Sequence, residues 1–144
     1  MKKILIAFLM FAAVSVADAQ ILNPAKFDYS VKKKSADLYE VHIKAIIEPG
    51  WHLYSVTNPE GGAQATIIKF TEGKATGSIK EAGKLKTVYD KQFKVNQKYF
   101  EKTVDFVQLV KIKSGKKIAG TIEYMLCNDN KCLPPKEIEF KIKM

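Results

Sequence analysis

The sequence contains no arginine and only two cysteines among its 144 residues, and each shortage excludes a class of protein. Nucleic-acid sites depend heavily on arginine, whose planar guanidinium contacts guanine and phosphate through two hydrogen bonds at once. A net charge of +9 that comes from lysine alone therefore does not indicate a nucleic-acid-binding protein. Two cysteines cannot build a disulfide-rich miniprotein, and they cannot fill a four-ligand zinc site by themselves. We expect neither a nucleic-acid partner nor a bound metal.

The lysines are dispersed along the chain. They alternate with acidic residues, as in 69–74, and the only runs are 32–34 and 116–117, apart from the two lysines at the start of the chain. This pattern is typical of a solvated surface, and attraction of acidic partners is the less favoured alternative. Binding to an anionic envelope surface is a third possibility, which would show a steep dependence on salt.

The first 19 residues have the features of a secretory signal peptide. Two lysines precede the apolar run 4–16, and Ala-Asp-Ala at 17–19 places small residues at the positions that a signal peptidase accepts. The apolar run is too short for a typical membrane-spanning helix, and no later run approaches the required length of about 20 residues. We predict a signal peptide over 1–19, and one exported, soluble domain over 20–144 in an oxidising compartment where the cysteines can pair.

Alternation of apolar and polar residues dominates the rest of the chain. In 38–48, every second residue from Val41 to Ile47 is apolar, as expected of a strand with one buried face. Further segments rich in β-branched or aromatic residues are separated by turn-forming residues, and they cover 27–31, 51–56, 65–70, 104–112, 118–126 and 138–142. This spacing predicts an all-β fold, an immunoglobulin-like antiparallel β-sandwich.

The segment 83–102 does not follow this pattern. It is rich in lysine and aromatic residues, and its alternation is weak. We predict a long irregular loop here, and a loop of this length in a compact domain is usually functional or mobile.

The candidate chemistry lies where the two cysteines occur. A predicted strand leads into Cys127, the sequence Asn-Asp-Asn-Lys at 128–131 has the composition of a turn, and another strand begins shortly after Cys132. A four-residue hairpin loop would bring the two Cα atoms within the roughly 4.4–6.8 Å that a disulfide requires. Because the closed loop is so short, chain entropy would contribute at most about 2 kcal/mol to stability.

From the residues alone, three interpretations of the cysteine pair remain open. The pair could exchange with thiols of another protein, staple a hairpin, or bind a metal together with a histidine. The metal interpretation is weak, because His42 and His52 lie far upstream without the spacing of metal ligands. No phosphate-binding loop, nucleophilic serine motif or metalloprotease motif occurs, so we predict no cofactor. Trp51 and Tyr54 fit the core of a strand better than a ligand platform.

Two motifs carry a resemblance to a known family. Cys-Asn-Asp-Asn-Lys-Cys-Leu-Pro-Pro stands at 127–135, and Pro-Gly-Trp-His-Leu-Tyr-Ser stands at 49–55. In this order, behind a signal peptide, they resemble the N-terminal periplasmic domain of the thiol:disulfide interchange protein DsbD, also called the disulfide bond corrector domain. The similarity extends over about residues 25–143. It implies an immunoglobulin-like sandwich in the periplasm that takes electrons from a thioredoxin-like domain and passes them to other thioredoxin-like proteins through transient mixed disulfides.

The resemblance also implies roles for individual residues. Cys132 would form the mixed disulfide with a partner, and Cys127 would be its intramolecular mate. In the family, a loop that carries a phenylalanine covers the cysteine pair, and we refer to it as the cap loop. The cap loop and the aromatic positions near the pair would match Asp90, Phe93, His52 and Tyr54, with Phe93 as the shield.

The sequence departs from the family pattern in two respects. Many relatives have five residues between the cysteines and an aromatic residue after the second, whereas here there are four residues and then Leu133. Most relatives are fused to a membrane-spanning domain and a thioredoxin-like domain, whereas this sequence ends at Met144. We therefore expect a separate protein as the electron donor. The alternative is a non-catalytic binding module with a structural hairpin disulfide.

Overall fold

The computed structural model describes residues 22–144, so the predicted signal peptide lies outside the described residues. Within this range the chain forms strands and no helix, and none of it could therefore cross a membrane as a helix. The strands are β1 (Ala25–Lys33), β2 (Leu38–Ile47), β3 (His52–Tyr54), β4 (Ile67–Glu72), β5 (Lys74–Gly83), β6 (Lys86–Asp90), β7 (Val95–Phe100), β8 (Thr103–Lys111), β9 (Ile118–Tyr124), β10 (Leu126–Cys127) and β11 (Lys136–Ile142).

The strands form three antiparallel sheets. The largest has the order β1-β2-β8-β5, the second has the order β10-β3-β7-β6, and the third has the order β11-β9-β4. Only Met125 separates β9 from β10, so one stretch of chain runs from the third sheet into the second. The predicted immunoglobulin-like antiparallel β-sandwich is confirmed. Strand β10, which carries Cys127, lies at one edge of its sheet.

The core lies between the sheets, and β2 shows why. Every second residue from Tyr39 to Ile47 is buried, while Lys44 between them is exposed, as the alternation predicts. Phe100 of β7 and Phe106 of β8 belong to different sheets, and their rings meet edge to face with centroids 6.5 Å apart. Trp51 packs in the same core, in agreement with its prediction as a core aromatic.

The prediction of a long irregular loop over 83–102 is wrong. Most of the segment forms a hairpin, in which β6 pairs with β7 from Lys86↔Tyr99 to Asp90↔Val95. Strand β6 is the other edge of the second sheet, and its Val88 and Tyr89 are exposed. A strand that is exposed on both faces needs no apolar alternation, and this is the signal that sequence analysis depends on.

Candidate redox site

Cys127 and Cys132 form a disulfide that closes the loop after β10. Their Cα atoms are 4.0 Å apart, slightly closer than the predicted separation. The two residues also face each other as an isolated antiparallel bridge. The prediction that a short loop places the two cysteines opposite each other is confirmed.

The side chain of Asn128 shapes this loop. Its Oδ1 accepts hydrogen bonds from the backbone N–H groups of Asn130 and Lys131, both at 2.9 Å. The Asn128 N–H in turn donates to the Lys131 carbonyl oxygen at 2.8 Å. Asparagine commonly bonds the main chain that follows it, and this explains the turn composition of the sequence. Hydrogen bonds within the loop therefore stabilise the conformation that places the two cysteines opposite each other.

The two cysteines differ in exposure. Cys127 is buried, with 3% of its surface exposed, and it packs in a cluster with Tyr54 and Ala63 that Tyr99 and Met125 complete. Cys132 is exposed. A thiol or disulfide of another molecule would therefore meet the sulfur of Cys132 first.

His52 lies directly across from Cys127 in the pairing of β3 with β10. Its ring stacks on that of Tyr99, with centroids 4.2 Å apart and planes 16° from parallel. His52 Nε2 lies 3.4 Å from Glu101 Oε1, and Lys86 Nζ donates to the other oxygen of Glu101 at 2.6 Å. This hydrogen bond from Lys86 lowers the pKa of the Glu101 carboxyl. The imidazole is thus fixed by a ring on its face and a carboxylate at its edge.

Tyr54 lies two residues further along the same face of β3. Burial, together with smaller contributions from the negative charge of Asp90 and from the neighbouring Tyr99, raises the pKa of its phenol to about 12. Tyr54 and Tyr99 are paired across β3 and β7, and their rings meet edge to face with centroids 6.1 Å apart. The phenol of Tyr54 therefore stays neutral over the whole physiological range.

A cavity of about 320 Å³ lies between the β6–β7 hairpin and the cysteine loop. It brings together three of the four residues that the sequence predicted around the pair, and its walls include His52, Tyr54, Asp90, Asn128 and Asp129. The hairpin and the cysteine loop therefore face each other across this cavity.

Asp90 and Phe93 belong to the turn at the tip of the hairpin. Asp90 Oδ1 accepts hydrogen bonds from the backbone N–H groups of Gln92 at 2.8 Å and Phe93 at 3.1 Å. Lys94 completes the turn with a positive φ of 58°. Phe93 itself is 42% exposed and does not line the cavity. Its role as a shield of the cysteine pair stays a prediction.

Sequence analysis did not single out Tyr99, Glu101 or Lys86, which surround His52. All three lie in the segment that was predicted to be irregular. Burial does not alternate along β7, where Gln97 and Phe100 are the buried residues, so the sequence offered no strand signal that could have found them. Among residues 22–144, no group of three or more histidine, cysteine or acidic residues is placed to hold a metal ion.

The protein is an immunoglobulin-like sandwich domain that carries a disulfide in the loop after the edge strand β10. The model of the family described as the thiol:disulfide interchange protein DsbD, N-terminal, matches residues 18–143, and the chain belongs to this family. Family membership and the bonded cysteine pair together make it a thiol–disulfide exchange domain. No curated protein matches the sequence.

Three of the similar solved structures come from two bacteria. The N-terminal periplasmic domain of ScsB from Proteus mirabilis is 17% identical to this chain, with a TM-score of 0.66. The match covers 85% of this chain and 47% of the ScsB chain, so this chain spans about half the length of that relative. The reduced DsbD N-terminal domain of Neisseria meningitidis has 17% identity and a TM-score of 0.58, over 82% of this chain and 85% of its own. A complex of the DsbD and PilB N-terminal domains of Neisseria meningitidis has 17% identity and a TM-score of 0.60, over 85% of this chain and 87% of the matched chain. These likenesses show the fold.

Proposed function

We propose that the protein is a periplasmic thiol–disulfide oxidoreductase that passes reducing equivalents between thioredoxin-like proteins through Cys127 and Cys132. The difference in exposure between the two cysteines carries this proposal. An exchange catalyst needs one sulfur that a partner can reach and a second that stays inside to break the mixed disulfide. The exposed Cys132 suits the first role, and the buried Cys127 suits the second.

The reaction balances with one partner disulfide. In the reduced domain, the Cys132 thiolate attacks a sulfur of the partner, a mixed disulfide forms, and the partner's other sulfur leaves as a thiolate. The Cys127 thiolate then attacks Cys132, and the domain disulfide closes while the partner's second sulfur leaves. The domain loses two electrons, the partner gains them, and the two thiol protons end on the partner. A thioredoxin-like donor reverses these steps to reduce the domain again.

Two of the solved structures support the partner class and the compartment. The Neisseria meningitidis relative forms a complex with the N-terminal domain of PilB, and the ScsB relative is a periplasmic domain. The cavity adds a concave surface that is lined in part by Asn128 and Asp129 of the cysteine loop.

Replacing Cys127 with serine should trap a partner. Cys132 can still form the mixed disulfide, but the sulfur that resolves it is gone, so the linked species accumulates. Non-reducing gels and mass spectrometry of an envelope extract read out the linked protein. Cys132→Ser is the matched control and should trap far less, because Cys127 is buried. Absence of any mixed disulfide between Cys127→Ser and a thioredoxin-like protein would contradict the proposed function.

The reduction potential separates the proposal from a binding module with a structural disulfide. Equilibration with glutathione or dithiothreitol buffers should place the Cys127–Cys132 couple among exchange catalysts, between roughly −270 and −120 mV. A value well below about −300 mV would instead mark an inert staple.

A further inference from the structure

We propose that His52 is the general base that takes the proton of the Cys127 thiol when the mixed disulfide is resolved. This inference rests on the proposed function, because it concerns the second step of the exchange. It assigns a chemical role to a residue that the sequence placed only near the pair.

The burial of Cys127 creates the need for a base. Only a thiolate attacks a disulfide, and removal from water disfavours the charged form of a thiol. Cys127 has 3% of its surface exposed, so little solvent can reach its sulfur to take the proton. A proton acceptor beside Cys127 therefore accelerates the step that Cys127 performs.

The strand pairing places the imidazole beside that thiol. Cys127 and His52 are direct partners in the antiparallel register of β10 and β3. Side chains of directly opposed residues point to the same face of the sheet, with Cβ atoms about 4.5–5.5 Å apart. Leu126 and Leu53, the next pair in the register, are buried in the core between the sheets. The thiol and the imidazole thus share the other face of this sheet, the one that carries the cavity.

The neighbours of His52 orient its ring. Tyr99 stacks on the face of the imidazole at 4.2 Å, and Glu101 lies 3.4 Å from Nε2. With Nε2 3.4 Å from a carboxylate oxygen, we assign Nδ1 as the ring nitrogen that serves the thiol. Cys127 would act as the nucleophile, His52 as its base and Glu101 as the carboxylate beside the base. Cysteine and serine hydrolases use the same three roles.

Groups of both charges surround His52. The titratable groups beside it are the carboxylates Glu48, Asp90, Glu101 and Asp129, the lysines Lys86, Lys91 and Lys102, and the phenols Tyr54, Tyr89 and Tyr99. The carboxylates outnumber the lysines, and the nearest of them contacts the ring directly.

The proton has a defined path. The neutral imidazole takes it from Cys127, the resulting thiolate attacks the Cys132 sulfur, and the partner's sulfur leaves with the bonding electron pair. The imidazolium then gives the proton to that departing thiolate or to water, which restores the neutral ring. No other oxidant or reductant takes part.

The reduced protein and 2,2′-dipyridyl disulfide provide the test. Cys132 reacts first and releases one equivalent of thiopyridone, and Cys127 then closes the disulfide and releases a second. The thiopyridone leaves readily without a proton from the protein, so the second phase reports on the Cys127 thiolate. His52→Gln is expected to slow the second phase at neutral pH about tenfold or more, and to change the first by less than about twofold.

The pH profile and the controls separate chemistry from structure. In the wild-type protein the second phase should have an inflection that disappears in His52→Gln, where the rate should keep rising with pH as the thiol ionises unaided. His42→Gln, which removes the other histidine of the chain, should leave both phases and the profile unchanged. Glu101→Gln keeps the imidazole and should slow only the second phase, so the test survives if His52→Gln does not fold.

Each outcome decides one question. Second phases in both His52→Gln and Glu101→Gln within about twofold of the wild-type rate, with the inflection retained, would overturn the role of His52. A wild-type protein that never releases the second equivalent would instead overturn the proposed function, whatever the variants do.

Discussion

The phenol of Tyr54 shows how strongly the surroundings of the cysteine pair perturb a single residue. Burial is the main cause of its pKa of about 12, compared with 10.0 for an unperturbed tyrosine. The same cluster buries Cys127, so the environment that keeps the phenol neutral also disfavours a charged thiolate. A protonated Tyr54 is one reason why we assign proton transfer to His52.

Tyr54 should make the protein sensitive to alkali. Its pKa is raised on folding, so its contribution to stability is fully present below pH 10 and is lost as the pH rises toward 12, because only the unfolded chain then ionises. The loss approaches roughly 2 kcal/mol at the upper end of this window. Denaturant unfolding at several pH values should show a smaller alkaline loss for Tyr54→Phe than for the wild type. Tyr89→Phe removes an exposed phenol from the same hairpin and serves as the control; equal losses in the wild type and Tyr54→Phe would refute the assignment.

At the scale of elements, the pairing of β2 with β8 carries a pH-dependent contact on the outer face of the largest sheet. His42 Nδ1 lies 2.8 Å from Asp105 Oδ2, and Glu40 is 3.4 Å from the other ring nitrogen. The hydrogen bond to Asp105 is the main cause that raises the pKa of His42. The protonated histidine thus links two neighbouring strands.

His42→Gln should therefore destabilise the protein mainly in acid. Because folding raises the pKa of His42, its stabilising contribution is fully present below about pH 6.5 and is lost as the pH rises through the folded value. Thermal unfolding from mildly acidic to alkaline pH should show a gap between wild type and variant that closes with rising pH. A gap that is constant, or that widens with pH, would show that the ion pair does not contribute in this way.

Gly120 lets three strands come together closely in the third sheet. It pairs with Phe70 of β4 on one side and with Phe140 of β11 on the other. A Cβ at this position would collide with the Lys69 carbonyl oxygen and would lie 2.6 Å from a ring atom of Phe140. Backbone on one side and a buried ring on the other leave little room for relaxation.

Gly120→Ala should cost about 1–3 kcal/mol of unfolding free energy, the usual range for overpacking a core. A lower denaturant midpoint with an unchanged slope would show this loss. An unchanged midpoint would mean that β4 moves away from β9 without cost. Because the strand continues into β10, a change in the disulfide exchange rate of this variant would show that the strain reaches the cysteine loop.

Elements differed in how well the sequence predicted them, and the cause is burial. Strand β2 buries one face completely, so its apolar residues alternate and the strand could be predicted. The cysteine loop could be predicted because the two cysteines are close in sequence. Strands β5 and β6 are edges whose residues are mostly exposed, so selection for a buried face left no pattern in them. The pairing of His52 with Cys127 depends on strand register, where a slip of one residue moves a side chain to the other face. Local sequence does not specify which distant strand supplies the partner.

At the scale of the whole molecule, the core of the sandwich holds the strands that carry the site. Leu53 and Leu126 anchor β3 and β10 in the core, while Cys127 and His52 occupy the opposite face of the same strands. The cysteine loop therefore follows strands that are anchored in the core, although Cys132 itself is exposed. The lysines that give the chain its net positive charge are dispersed along the sequence and are not concentrated in the segment of the cysteine loop.

The position of β10 at the edge of its sheet has a consequence for self-association. A bare edge strand offers unpaired N–H and C=O groups to any other strand, and this is a common route to aggregation. Here the chain turns back on that edge, and the Leu133 N–H donates to the Leu126 carbonyl oxygen at 2.8 Å. Pro134 and Pro135 follow, and neither has an N–H group to extend a ladder. The turn that exposes Cys132 thus also covers the edge of β10. Another molecule can form a disulfide there, but it cannot add a strand to this edge.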